Sequence, residues 1–256
     1  MRRNPLGGGG VRMDRVDASK QDSGGSSVEE FLLDQYLHLR ASIGYLGFAL
    51  PFVLALGAIA LEGPGIRSSI SDYYYSGMRN VFVGILCAIG VFLFSYKGYT
   101  KWQDRICNIA AFCIVGVALF PTTPEIGATA GQQVIGVLHL CFAAGFFSAI
   151  AYFCLKIFTQ NTPGRSMTKN KARNNSVYVW CGWTIVGSIV LIALVNGLPK
   201  TMTAWARGLD PVFWLESTAV VAFGVSWMTK GGVLSALVRA GASFSRAKVE
   251  RVESGA

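Results

Sequence analysis

From Gln133 to Ile157 the chain reads QVIGVLHLCFAAGFFSAIAYFCLKI, a stretch with no carboxylate whose one lysine, Lys156, stands at its far end. A surface helix of a soluble protein would set an apolar stripe against a charged face, and here every face is apolar. About 20 such residues span the hydrocarbon layer of a bilayer. Five more stretches read the same way: 41–61, 79–96, 106–121, 176–198 and 211–229. The one at 106–121 is the shortest and stops at Pro121, while Pro51 falls inside the first span and is expected to kink it by removing a backbone hydrogen bond. The expected fold is all-α, a polytopic membrane bundle of six transmembrane helices.

Composition agrees with this. Of 256 residues, 52% are hydrophobic and 14% charged, with a mean hydropathy of +0.43, whereas a soluble domain carries about 25% charged residues. A soluble enzyme and a disulfide-stapled secreted module are excluded. The net charge of +9 would suit a nucleic-acid binder, so the placement of the charges decides. Counted across the six spans, nineteen Lys and Arg fall on the side of the N-terminus and four (Arg67, Arg79, Lys200, Arg207) on the other. That is a membrane-orientation pattern rather than a basic groove. It puts both termini in the cytoplasm, as an even number of spans requires, and the expected location is a bacterial inner (plasma) membrane with no nucleic-acid partner.

Around the bundle, residues 1–27 have almost no large apolar side chains and read as a disordered cytoplasmic tail. No apolar run follows Arg2-Arg3, so no signal peptide is expected. Ser27 and Glu30 fit a capping box, and Val28, Phe31, Leu32, Tyr36 and Leu39 recur at helical spacing. Segment 28–40 is expected to be an amphipathic interfacial helix, the alternative being that it extends the first span. The bundle covers 41–232, and 233–256 is a basic cytoplasmic tail. Tyr73, Tyr74, Tyr75, Tyr96, Tyr99, Trp102, Trp205 and Trp214 sit where interfacial anchors belong. The small-residue rows Gly84/Ala88 and Cys141/Gly145/Ala149 favour close helix approach. They are expected to place the second and fourth spans at the centre, or to serve a homo-oligomer.

Little in the chain points to cofactor chemistry. The six cysteines (Cys87, Cys107, Cys113, Cys141, Cys154, Cys181) lie within spans and form no C-x-x-C, so they read as small buried hydrophobes. The two histidines, His38 and His139, fall at opposite sides of the membrane and cannot share a haem or build a zinc shell. No metal or cofactor is expected.

Two polar groups remain. Glu216, His139 and Asn196 fall at a shared depth about 3–10 Å below the outer boundary, with Arg79 at the mouth and the Ser71-Asp72 loop above. They either line an outward-facing cavity for a lipid headgroup or small solute, or pair to satisfy buried charge and fix helix register. At the inner boundary Lys97, Asp104, Asn108, Lys156 and Lys230 gather. They read as snorkelling side chains with an interfacial salt bridge, or as a site for anionic lipid headgroups.

The strings 71–75 (SDYYY), 78–84 (MRNVFVG), 94–99 (FSYKGY), 118–122 (ALFPT), 211–216 (PVFWLE) and 227–231 (WMTKG) resemble an uncharacterised bacterial membrane family, domain of unknown function 998, over about residues 41–232. The resemblance implies a helical membrane bundle and carries no known reaction, ligand or catalytic set. Arg79, His139, Glu216 and Lys230 fall within its family-like strings. The expected role is a non-enzymatic membrane component that binds a membrane lipid or small solute. The alternatives are a proton-coupled secondary transporter using Glu216 or His139, and an intramembrane lipid hydrolase or transferase with Ser71 or Ser217 as nucleophile beside His139.

Overall fold

The structure, a computed structural model, describes residues 14–98, 100–160, 168–198 and 209–240. Six long helices are present: α1 (Asp14–Glu62), α2 (Arg79–Ser95), α3 (Lys101–Leu119), α4 (Ala130–Tyr152), α5 (Lys169–Gly197) and α6 (Pro211–Lys230). A turn of 3-10 helix, Ser71–Tyr75, lies between α1 and α2, and α4 ends in a π-helical turn, Phe153–Ile157. Among the described residues there is no strand. Helix starts are written in the sequence. Thr100, Thr129 and Thr168 each accept the backbone N–H three residues on, Thr129 completes a capping box with Gln132, and Pro211 opens α6.

Five of the helices are long and apolar enough to cross a membrane: Val28–Glu62 of α1, α3, α4 with its π turn, α5 and α6. The apolar helix α2 is shorter at 17 residues. Large apolar side chains such as Leu56, Phe112, Trp180 and Trp183 point outward, which in water would be untenable and in lipid is required. The chain is built as a multi-pass, membrane-embedded helical bundle.

Three expectations need correction. The interfacial helix 28–40 and the first span are one continuous helix, because no Gly or Pro interrupts 28–42 and each added residue gains a hydrogen bond once a helix exists. That helix also reaches back to Asp14, inside the tail expected to be disordered. The second and fourth spans are not the centre. A Cβ on Gly84 would meet nothing and Cys141 is exposed, although Gly145 does approach Cys113. The close approach is instead between α1 and α6, where a Cβ on Gly224 would lie 2.5 Å from the Phe48 nitrogen and 2.8 Å from the Gly44 carbonyl oxygen. Finally, Tyr73 and Tyr96 are buried rather than interfacial. Tyr73 packs on Phe213, and Tyr96 meets Trp227 edge-on at 5.2 Å in a cluster with Phe153 and Phe158. Tyr99, Trp205 and segments 1–13, 161–167, 199–208 and 241–256 lie outside the described residues. All six cysteines are free, and Cys107, Cys113, Cys154 and Cys181 are buried.

The glycine contact makes a two-sided prediction. Gly224→Ala should lower the thermal midpoint in detergent, because overpacking against rigid backbone costs about 1–3 kcal/mol. Gly84→Ala, with open space around it, should leave the midpoint unchanged or raise it by the propensity gain of up to about 1 kcal/mol. A scanning fluorescence melt of the two variants beside the parent reads both signs.

Candidate functional site

The chain leaves α1 through Gly63-Pro64-Gly65, with Gly63 and Gly65 at positive φ, and folds 66–76 over the end of the bundle. That loop is fastened to α6 by two kinds of bond. Phe213 N–H donates to the Ser68 carbonyl at 3.0 Å. The Glu216 carboxylate accepts the backbone N–H groups of Ile70 at 2.7 Å and Ser71 at 3.2 Å, at the start of the 3-10 turn. An anion at orphan N–H groups of a helical turn is favourable, and these two donors give Glu216 its partners within an apolar bundle. Among the described residues Glu216 forms no ion pair.

Ser71 then reaches α4. Its Oγ lies 3.0 Å from His139 Nε2, and His139 Nδ1 lies 2.7 Å from the Phe120 carbonyl oxygen. A carbonyl can only accept, so Nδ1 carries the proton and Nε2 accepts from the Ser71 hydroxyl. His139, only 2% exposed, is thus satisfied at both nitrogens. Ser71, His139 and Glu216, drawn from a loop and two helices, form one connected polar group. Beneath it lies an apolar cavity of about 50 Å³, with Phe82, Phe146 and Phe223 in its walls. That is room for a water or two, not for a substrate.

The other residues of the outer group go elsewhere. Arg79 is exposed, donates to the Tyr74 hydroxyl and lies over the Tyr74 ring at 4.1 Å, away from Glu216. Asn196 is exposed at the end of α5. Asp72 accepts from Ser68 and faces an open recess of about 540 Å³ that Arg67, Glu125 and Asp210 also line. Tyr75, at its rim, donates to the Thr122 carbonyl at 2.7 Å. Burial holds the Tyr73 phenol above its ordinary pKa, so it stays neutral.

Of the inner group, Asp104 accepts the Gly98 N–H at 2.6 Å, Lys97 and Lys156 are exposed, and Asn108 Oδ1 is buried with no hydrogen-bond partner. Lys230 lies over the Phe158 ring at 5.1 Å. These five side chains do not converge on one point.

A second feature escaped the sequence. Along α1, α5 and α6 runs an apolar slot of about 580 Å³, walled by Pro51, Leu56, Trp180, Thr184, Trp214 and Val225 among others. Ser217 also lines it, and its Oγ is buried with no hydrogen-bond partner. Ile66 lines both this slot and the polar recess, so the two are neighbours on either side of one side chain. The available signals were a proline inside a span and the hydroxyls Thr184, Ser217 and Thr218 at membrane depth, none of which is specific. Among the described residues no three His, Cys, Asp or Glu side chains gather into a group able to hold a metal.

No family model, curated protein or solved structure matches the chain.

If the carboxylate ties the loop down, its replacement is graded. Glu216→Gln keeps an acceptor for the two N–H groups and should cost about 1–2 kcal/mol, whereas Glu216→Leu leaves both unpaired and should cost about 2–5 kcal/mol. Urea or thermal unfolding in detergent, followed by tryptophan fluorescence, should rank the parent above Gln and Gln above Leu.

Proposed function

We propose that this protein is a six-span inner-membrane protein with both termini in the cytoplasm, and that it binds one membrane lipid at its outward-facing end. The single observation that carries this reading is the neighbouring placement, on either side of Ile66, of an apolar slot of about 580 Å³ and a polar recess of about 540 Å³. A free polar solute has no use for the slot, and an acyl chain has no use for the recess. An amphiphile uses both. The six-span count rests on α2, whose 17 residues are within the range that crosses a bilayer. Membership of domain of unknown function 998, which the sequence resembles, is part of the same proposal and adds no activity to it.

The recess indicates the headgroup. Three carboxylates (Asp72, Glu125, Asp210) and one cation line it, and that cation, Arg67, is already bonded to Glu62 at 2.6 Å. Ser68 Oγ touches both Asp72 and Glu125, yet one hydroxyl proton serves only one acceptor. The uncovered oxygen calls for another donor, which an amine-bearing headgroup supplies.

Mass spectrometry of the protein purified in mild detergent should find one retained species with an amine headgroup. Ser217→Phe, which fills the slot, should cut its retention about tenfold or more, equivalent to about 1.4 kcal/mol, with an unchanged melt. Equal retention by Ser217→Phe would refute the reading.

A second reading has one observation in its favour. The order Ser71 Oγ, His139 Nε2, His139 Nδ1, carbonyl is that of a nucleophile and its base. Against it, Glu216 occupies the two N–H groups next to Ser71 that would receive an oxyanion. A fluorophosphonate probe should therefore leave Ser71 unlabelled; labelling that is lost in His139→Ala would establish acyl transfer instead.

A further inference from the structure

At the opposite end of the bundle Arg40, Lys171 and Lys230 form no ion pair among the described residues. Arg40, on α1, is 4% exposed. Its guanidinium lies 4.0 Å from the Tyr36 ring centroid and 5.2 Å from that of Tyr96, donates to the Tyr96 hydroxyl at 3.3 Å, and leaves Nε buried with no hydrogen-bond partner. A buried arginine ordinarily has a carboxylate. Here the ion pairs among the described residues are His38–Asp34 and Arg67–Glu62, neither of which touches it.

More cations stand beside it. Gly231 packs against Ala41, where a Cβ would lie 2.7 Å from the Ala41 nitrogen, so the residues that precede them, Lys230 and Arg40, stand on touching stretches of backbone. Lys171 donates through Nζ to the Phe158 carbonyl at 2.9 Å, beneath the ring that Lys230 covers. Lys171 and Lys230 thus share Phe158, while Lys230 and Arg40 flank the Gly231–Ala41 contact. Two residues beyond Lys171, Arg173 has Nε and one terminal nitrogen buried without a hydrogen-bond partner. The N-terminus of α5, a 29-residue helix, opens at this end and adds its own partial positive charge. Confining like charges costs free energy that a bound anion would recover. The aromatic walls, Tyr36, Tyr96 and Phe158, suit cations and offer no negative charge of their own beyond their ring faces.

We infer that Arg40, Lys171 and Lys230 form an anion site at the end of the bundle remote from the lipid recess, and that it takes a phosphate group. A phosphate presents several acceptor oxygens and can meet the three cations together, whereas a carboxylate offers two. That phosphate belongs either to a lipid headgroup of the adjoining leaflet or to a free phosphorylated solute. The site stands independently of the outer lipid reading, since it shares no residue with it.

The test uses the full chain, delipidated in detergent, with short-chain phosphatidic acid, the matching diacylglycerol and inorganic phosphate as probes. Binding is read by native mass spectrometry and by the emission of Trp227, which packs edge-on against Tyr96 and Phe158. Phosphatidic acid should bind and diacylglycerol should not. Lys171→Gln and Lys230→Gln, both at half-buried positions, should each weaken binding about tenfold or more with an unchanged melt, as expected for loss of a charge-assisted hydrogen bond. Competition by inorganic phosphate supports a site for the phosphate group itself. Binding of phosphatidic acid without such competition supports a lipid source, and binding of phosphate alone supports a solute. Arg40→Lys, which keeps the charge, tests the buried member where Arg40→Gln fails to fold. The inference is overturned if none of the phosphate probes binds, if diacylglycerol binds as well as phosphatidic acid, or if both folded lysine variants bind like the parent. Ser217→Phe should leave this binding untouched, so failure here and failure at the outer site are separately visible.

Discussion

A carboxylate taken out of water needs donors, and in a bundle of apolar helices the cheapest are backbone N–H groups that no helix uses. Glu216 finds two, at Ile70 and Ser71, on a loop that would otherwise have little reason to lie against α6. Once that bond is made, Ser71 stands opposite His139, and Ser68 takes the Phe213 N–H. The loop then presents Ile66, Arg67 and Asp72 in fixed positions at the mouth of the slot. The position of the recess therefore follows from satisfying one buried carboxyl group. This is how irregular backbone survives near lipid: it is paid for by side chains of the neighbouring helices.

Much of the fold could be read from residue order alone. Length and hydropathy mark the helices, while the starts capped by Thr100, Thr129 and Thr168 came from the structure. The relation between helices was not legible. Gly44 and Gly224 are single glycines on different helices, each without a small partner four residues away that would make a recognisable row. The contact exists only because the two backbones meet. Of the rows that were recognisable, Gly84 and Cys141 are exposed, whereas Gly145 and Ala149 turn inward.

The candidate site was half legible for the same reason. Depth along a helix is a one-dimensional quantity that residue order carries, and His139 and Glu216 both hydrogen-bond to the Ser71 loop. Direction around the helix is not, and Arg79 turns toward Tyr74, an aromatic neighbour five residues earlier that offers both a ring face and a hydroxyl. Arg40 was missed at the other end because it sits on the seam of an expected helix break that does not exist. In an unbroken α1 the same residue is carried inward against Tyr96.

The glycine seam between α1 and α6 leaves those two helices no slack: backbone already touches backbone. At the far end α5 is also pinned, since Gly182 admits Leu155 so closely that a Cβ there would sit 2.6 Å from its side chain. The slot is bounded by all three helices, and Leu56, Trp180 and Trp214 on its walls are themselves exposed, so it lies open along the flank of the bundle without any parting of the locked helices.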